Sequence, residues 1–143
     1  MDPYFDSAII VKLYVQEATS PEAIQLAGAY TAPYPLTRWQ ELEVKNAIRL
    51  KAFRREITAD QMSQSIVAFE QDIVAGRWQR HASTAAVEEK AEELSAAHAA
   101  TLGCRTLDII HVAAALVIGA KEFISFDQRQ RTLAEPFGLK VKP

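Results

Sequence analysis

Residues Arg105–Gly119 read RTLDIIHVAAALVIG. Between Leu107 and Ile118 the only polar side chains are Asp108 and His111. A helix here, stopped by Gly119, has to be buried nearly all round. Asp108, His111, Val112 and Ala115 fall on one side of it, and that side is expected to pack on a sheet. A first-turn aspartate gains about 0.3–1 kcal/mol from the helix dipole. That accounts for an acid at the helix mouth but not for its apolar neighbours.

Working outward, strands alternate with helical segments. Downstream, Glu122–Phe126 reads as a strand, Gln128–Phe137 as a helix and Leu139–Val141 as a short terminal strand. Upstream, Ser83–Leu102 reads as a helix stopped by Gly103, and Trp78–His81 as a strand. Thr58–Gly76 is a helix opened by a Thr58/Gln61 capping box. Arg38–Arg54 is another helix, and Pro33–Leu36, with two prolines, suits a short edge or entry strand. Helices over Ala8–Val15 and Pro21–Ala29 follow an apolar strand at Tyr4–Asp6. Strands separated by helices imply crossover connections, a mostly parallel sheet and helices on both faces: an α/β fold.

The 143 residues suggest one domain spanning 1–143. Hydrophobic residues make up 49% and charged residues 24%, ordinary usage for a globular chain. No apolar run reaches the ~18 residues of a membrane span, and MDPYFDS lacks a basic region followed by an apolar one, so neither a membrane protein nor a signal peptide is expected. The single cysteine, Cys104, precludes an internal disulfide and suits a reducing, cytoplasmic setting. A net charge of −2 argues against nonspecific coating of polyanions, while a local basic patch remains compatible with nucleic acid.

Two aspartates end apolar strands, Asp6 after Tyr4-Phe5 and Asp127 after Ser125-Phe126. Ligands of open parallel sheets bind beyond the carboxyl ends of strands; each aspartate equally suits the cap of the helix that follows it. In QELEVKNAIRL, Glu43 shares a face with Trp39, Ala47, Leu50 and, at the edge, Asn46. That face is expected to be at least partly buried. Glu41 lies nearly opposite and reads as a surface pair with Lys45, worth a few tenths of a kcal/mol. An unpaired buried carboxylate costs several kcal/mol, so Glu43 and Asp108 both need partners. If Asp6, Glu43, Asp108 and Asp127 converge, their repulsion demands a cation, and oxygen-only donors select Mg²⁺ or Mn²⁺. Without metal, such carboxyls are expected to have raised pKa values.

Four stretches, YFDSAIIVKLYV, ELEVKNAIRLK, RTLDIIHVAAALVIGA and EFISFDQRQ, resemble in order and spacing the PIN-domain family, and within it the VapC-type toxins of bacterial type II toxin–antitoxin modules. The resemblance covers essentially the whole chain. It implies a three-layer α/β/α fold with a mostly parallel central sheet and Mg²⁺- or Mn²⁺-dependent hydrolysis of RNA phosphodiesters. Its acidic residues fall on Asp6, Glu43, Asp108 and Asp127 as catalytic metal ligands, with Ser7, Asn46 and Ser125 as their supports. It also implies a small antitoxin protein as partner, and homodimerisation. The family often has Ser or Thr two residues after the first aspartate, where this chain has Ala8.

Lys45, Arg49, Lys51, Arg54 and Arg55 form a basic run, read either as a solvated face or as a track for RNA phosphates, with Lys45, Arg49 and Arg54 the RNA-binding candidates. His81, His98, His111 and Cys104 show no zinc spacing. His111 suits a core or supporting role better than that of a base. Trp39 and Trp78 suit core packing better than base stacking. No Gly-rich phosphate loop is present. The rival to a nuclease is a PIN-like binding module that has lost its activity; a phosphatase-like hydrolase lacks a nucleophile motif.

Overall fold

The computed structural model describes residues 2–82 and 84–143. Strand β1 (Pro3–Phe5) leads into α1 (Ser7–Tyr14) and α2 (Ser20–Gly28). Then come β2 (Tyr34–Thr37), α3 (Arg38–Phe53), α4 (Ala59–Val74) and β3 (Trp78–His81). The second half runs α5 (Ala85–Leu94), a π-helical turn (Ser95–Ala99), α6 (Ala100–Leu102), α7 (Thr106–Val117), β4 (Glu122–Ile124), α8 (Gln128–Ala134), a 3-10 turn (Glu135–Phe137) and β5 (Lys140–Lys142). The elements read from sequence are present, with ends shifted by a few residues. The expected start of the helix after β3, at Ser83, lies outside the described residues.

All strand pairings are parallel, in the orders β1-β4-β5 and β2-β3. Strand alternation divides the core in two. Phe5 and Ile124 point into one cluster, with Ile9, Ile10, Val44, Ile48, Phe69 and Trp78 from α1, α3, α4 and β3. Their neighbours Tyr4 and Phe123 point into the other, with Leu94, Val112, Ala113 and Leu133 from α5, α7 and α8. Helices therefore cover both faces of a parallel sheet, the expected α/β/α layering.

The two sheets meet where β2 lies beside β1. Pro35, in the middle of β2, has no N–H to give, so β2 cannot build full ladders on both edges. A side chain replaces the missing ladder. Gln40, fully buried, donates from Nε2 to the Phe5 carbonyl at 2.6 Å and accepts at Oε1 from the Thr37 N–H at 2.7 Å. The second bond belongs to a capping box that opens α3, in which the Gln40 N–H reaches Thr37 Oγ1 at 3.2 Å. It is the same Thr-x-x-Gln pattern as at Thr58, and it was equally readable. Chain order runs one way from β1 through β2 to β3 and the other way through β4 and β5, so the reversal falls between β1 and β4. The carboxyl ends of those strands border the crevice where such sheets bind ligands.

The phase of α3 differs from expectation. Its buried stripe is Gln40, Glu41, Val44 and Ile48, whereas Trp39 and Leu50 are exposed. Glu43 and Ala47 sit on the shoulder between the two faces, partly buried. Trp78 packs in the core, as read; Trp39 does not.

Candidate functional site

Asp6 follows β1 directly and caps α1, accepting the Ala8 N–H at Oδ1 (3.3 Å). Its other oxygen accepts the Ser125 hydroxyl at 2.9 Å. Ser125, fully buried just past β4, accepts in turn the N–H of Asp127 at 2.9 Å. Arg131 donates to the Ser125 carbonyl and, with its other Nη, to that of Pro143, which pins the β4–α8 turn to the chain's end. Asp127 is the N-cap of α8 and accepts the N–H groups of Arg129 (2.8 Å) and Gln130 (3.4 Å) at one oxygen. Both strand-end aspartates therefore do cap helices, and both stand just past the carboxyl ends of the paired strands β1 and β4.

Asp108 is buried in the first turn of α7 and accepts Gln130 Nε2 at 3.1 Å. Gln130 thus links Asp108 to the Asp127 turn, and its own Oε1 is buried without a partner among the described residues. Glu43 accepts the Ser7 hydroxyl at 2.9 Å and bonds His111 Nε2 with the same oxygen. The opposite ring nitrogen of His111 bonds the Tyr4 hydroxyl at 2.6 Å. Burial pushes the Tyr4 phenol far up, so it keeps its proton. One helical turn separates His111 from Asp108, and Ser7 adjoins Asp6. Ser125 and Gln130 thereby link Asp6, Asp127 and Asp108, while Glu43 bonds Ser7 and His111.

Their titration is not uniform. Burial raises the Asp6 pKa, and the nearby Asp127 charge adds to the rise. Bonds from Ser125 and Ala8 and the His111 ring oppose it without reversing it. Burial also pushes Glu43 up, but His111 and Ser7 outweigh it and hold the carboxyl below the usual range. The expectation of raised values without metal is met at Asp6 and corrected at Glu43, whose partner is a histidine rather than another carboxylate.

Ser7 bonds Glu43, and Ser125 bonds Asp6. Asn46 is exposed and makes no side-chain bond to Glu43. Lys45 is engaged by Glu41 at 3.7 Å and Glu70 at 3.0 Å, and Lys51 by Glu17 and Glu56. Arg49 and Arg54 are exposed and have no ion pair among the described residues. Tyr4, Gln40 and Gln130 were missed. Only for Gln130 was there a signal, three residues after a strand-end aspartate.

Glu41 is the clearest correction. It is buried, not a surface partner of Lys45 alone. Arg80 of β3 donates to both its oxygens (2.7 and 3.1 Å), and Arg38 adds a third contact at 3.2 Å. Arg80 reaches Glu41 because β3 pairs with β2 in register Leu36↔Arg80, directly before α3. Burial alone would raise the Glu41 pKa; the Arg80 bonds and the charges of Arg80, Arg38 and Lys45 outweigh it and hold the carboxyl below its usual value. A lowered folded pKa contributes stability above the unfolded value, about 4.3, that disappears as pH falls through the folded one. Glu41→Gln is expected to cost about 1–2 kcal/mol near neutral pH, limited by the solvent exposure of its cations. The deficit should vanish in acid melts below the folded pKa; an equal deficit at all pH values would place the effect in packing.

The donor set suits a hard divalent cation. All four acids offer oxygen, and Glu43 Oε2, Asp108 Oδ2 and Asp127 Oδ2 carry no hydrogen bond among the described residues. Asp6 is buried, with a second carboxylate near it and a charge that nothing fully balances. Among the described residues no three acidic, histidine or cysteine side chains close into a metal cage. Oxygen donors are the kind a hard ion such as Mg²⁺ takes, and it takes only one or two carboxylates directly. Among the described residues no helix is long and apolar enough to cross a membrane. No family model matches the chain, and no curated protein matches it.

Proposed function

We propose that this protein is a divalent-metal-dependent endoribonuclease of PIN type, the toxin of a type II toxin–antitoxin module with a small antitoxin as partner. The observation that carries the reading is the polar network at the reversal between β1 and β4. Ser125 and Gln130 tie Asp6, Asp127 and Asp108 together there, Glu43 bonds Ser7 beside Asp6, and Glu43, Asp108 and Asp127 each keep one oxygen without a hydrogen bond among the described residues. The toxin assignment and the antitoxin rest on the resemblance alone.

In this reading Asp6, Glu43, Asp108 and Asp127 hold Mg²⁺ or Mn²⁺, directly or through water. The bound ion supplies a more acidic water and neutralises charge developing on the phosphoryl and leaving oxygens. Ser125 fixes the Asp6 carboxylate and the turn that carries Asp127. Gln130 sets the orientation of Asp108. His111, fixed by Tyr4, orients Glu43. Arg49 and Arg54 are free to meet RNA phosphates; Lys45 is committed to Glu41 and Glu70.

A second reading, an inactive binding module, draws on the open spacing of the acids and on Ala8. Metal titration followed by thermal melting separates the two. Binding at about 100-fold over Kd adds ~2.7 kcal/mol, a rise of roughly several degrees for a domain of this size. Asp127→Asn is expected to shrink the rise, and the Asp6→Asn, Asp108→Asn double variant to remove it. Equal shifts in wild type and double variant would put the ion elsewhere and favour the binding module.

A further inference from the structure

A cleft of about 380 Å³ lies beside the candidate site, between α2 and the carboxyl ends of β4 and β5. One wall is a stripe of α2: Glu22, Gln25, Leu26 and Ala29 recur at the i, i+3, i+4, i+7 spacing of a single helix face, and Tyr30 follows them. The other wall is Phe126, just past β4, with Lys142 and Pro143 at the end of β5. Phe126 joins the cleft to the acids. It stands between Ser125, which holds Asp6, and Asp127, and it is 39% exposed. Arg131 donates to the Ser125 carbonyl at 2.9 Å and to the Pro143 carbonyl at 3.0 Å, so this wall is tied to the turn that carries Asp127.

The polar groups of the cleft divide into spent and free. The Tyr30 hydroxyl donates to Glu122. The Lys142 ammonium pairs with the same carboxylate at 3.3 Å and lies 5.6 Å from the centre of the Tyr30 ring. What these two residues leave to the cleft is a ring and an alkyl stem. Glu22 and Gln25 are exposed, and their side chains carry no hydrogen bond or ion pair among the described residues. The cleft therefore combines aromatic and aliphatic surface with one uncommitted carboxylate and one uncommitted amide.

That chemistry selects an occupant. A phosphate would meet the Glu22 carboxylate, and a cationic side chain would meet the Lys142 ammonium. A neutral planar ring with N–H donors meets neither obstacle. The volume is at the low end of the ~300–1,000 Å³ of ligand pockets, room for one base rather than a strand. We propose that the cleft is a guanine subsite for the RNA strand, in which the base stacks on Phe126 and Glu22 accepts its N1–H and N2 amine together. Among the four RNA bases only guanine presents two adjacent N–H donors on its Watson–Crick edge, the edge that unpaired bases offer to side chains. Gln25, on the same stripe as Glu22, has an amide N–H to give to the guanine O6. The subsite rests on the ribonuclease reading for its occupant and adds to it a choice of sequence.

Titration of guanosine into the full chain, followed by the shifts of amide NMR signals, tests the subsite without metal or cleavage. Guanosine is expected to shift residues that line the cleft, with adenosine, cytidine and uridine binding about tenfold more weakly or worse. Inosine, which lacks the N2 amine, should fall with the weaker group. Phe126→Ala should weaken guanosine binding roughly ten- to a hundredfold, and Glu22→Gln should remove the preference for guanosine. Both side chains are exposed, so both variants should keep wild-type melting, checked by circular dichroism. Ile24→Ala, exposed on α2 but outside the cleft, should change nothing. Absent binding, equal affinity for the four nucleosides, or a guanosine preference that survives Glu22→Gln overturns the subsite. With Mg²⁺ or Mn²⁺ added, the ends of RNA fragments should share a guanine at one fixed position and lose it in Glu22→Gln. Metal-dependent cleavage without such a guanine overturns the subsite and leaves the nuclease reading standing. Selective guanosine binding with no cleavage of any RNA leaves the subsite standing and overturns the nuclease reading.

Discussion

Asp6→Asn is expected to abolish metal-dependent RNA cleavage while leaving the fold intact. The substitution is unusually clean here. Asp6 has two structural tasks, capping α1 at Ala8 and accepting the Ser125 hydroxyl. Asparagine is as good a cap, and its carbonyl oxygen can accept one of these bonds. What it lacks is the negative charge and one oxygen for a cation. If Asp6 holds the metal, the loss should reach three or more orders of magnitude in rate, about 4 kcal/mol or more of barrier. Stability without metal should hold or rise, because the folded state no longer keeps a buried carboxylate near Asp127. Ser125→Ala removes only the hydroxyl that orients Asp6, and a loss of about 10–100-fold is expected. Wild-type cleavage by Asp6→Asn would take the residue out of the mechanism; an unfolded Asp6→Asn protein would make the acid structural.

Gln40→Leu is expected to give the largest stability loss of any single change named here. Leucine matches the volume but leaves the Phe5 carbonyl and the Thr37 N–H buried without partners, each costing about 1–3 kcal/mol. Together that is roughly 2–6 kcal/mol, a fall in Tm on the order of ten degrees. The loss of the capping box adds to it. Thermal melts that place Gln40→Leu within about 0.5 kcal/mol of wild type, the range of a surface substitution, would mean that the two sheets do not depend on this side chain.

Much of the architecture was legible because the periods were clean. Tyr4-Phe5 and Phe123-Ile124 place successive side chains on opposite faces of the sheet, and the structure finds them in separate cores. Capping chemistry was equally readable, at Thr58 and in the glycine stops at Gly76, Gly103 and Gly119, all with positive φ. The helix of α3 was drawn with its residues correctly opposed, Glu43 against Glu41, but the buried side was misjudged. Apolar Trp39 and Leu50 suggested a core face, while polar Gln40 and Glu41 were the residues inside. Hydrophobicity could not reveal that, because Gln40 is buried to replace a sheet ladder and Glu41 to receive an arginine from β3.

The same division holds for the candidate site. Sequence alone determined the parallel α/β organisation, and through strand ends and helix turns it singled out Asp6, Glu43, Asp108 and Asp127; Ser7, Asn46 and Ser125 came only with the family resemblance. The rest follows from local properties: side-chain period, capping preference and the cost of an acid among apolar neighbours. Only the tertiary structure decided what each acid touches. Gln130 reaches Asp108 from another helix, Tyr4 and Glu43 bracket His111, and Arg80 takes Glu41 out of the surface. Each of these contacts joins residues at least 22 positions apart, so no local pattern encodes them. They exist because strand pairing and the two-faced core bring distant segments together, and a buried polar group must then take the partner that packing supplies.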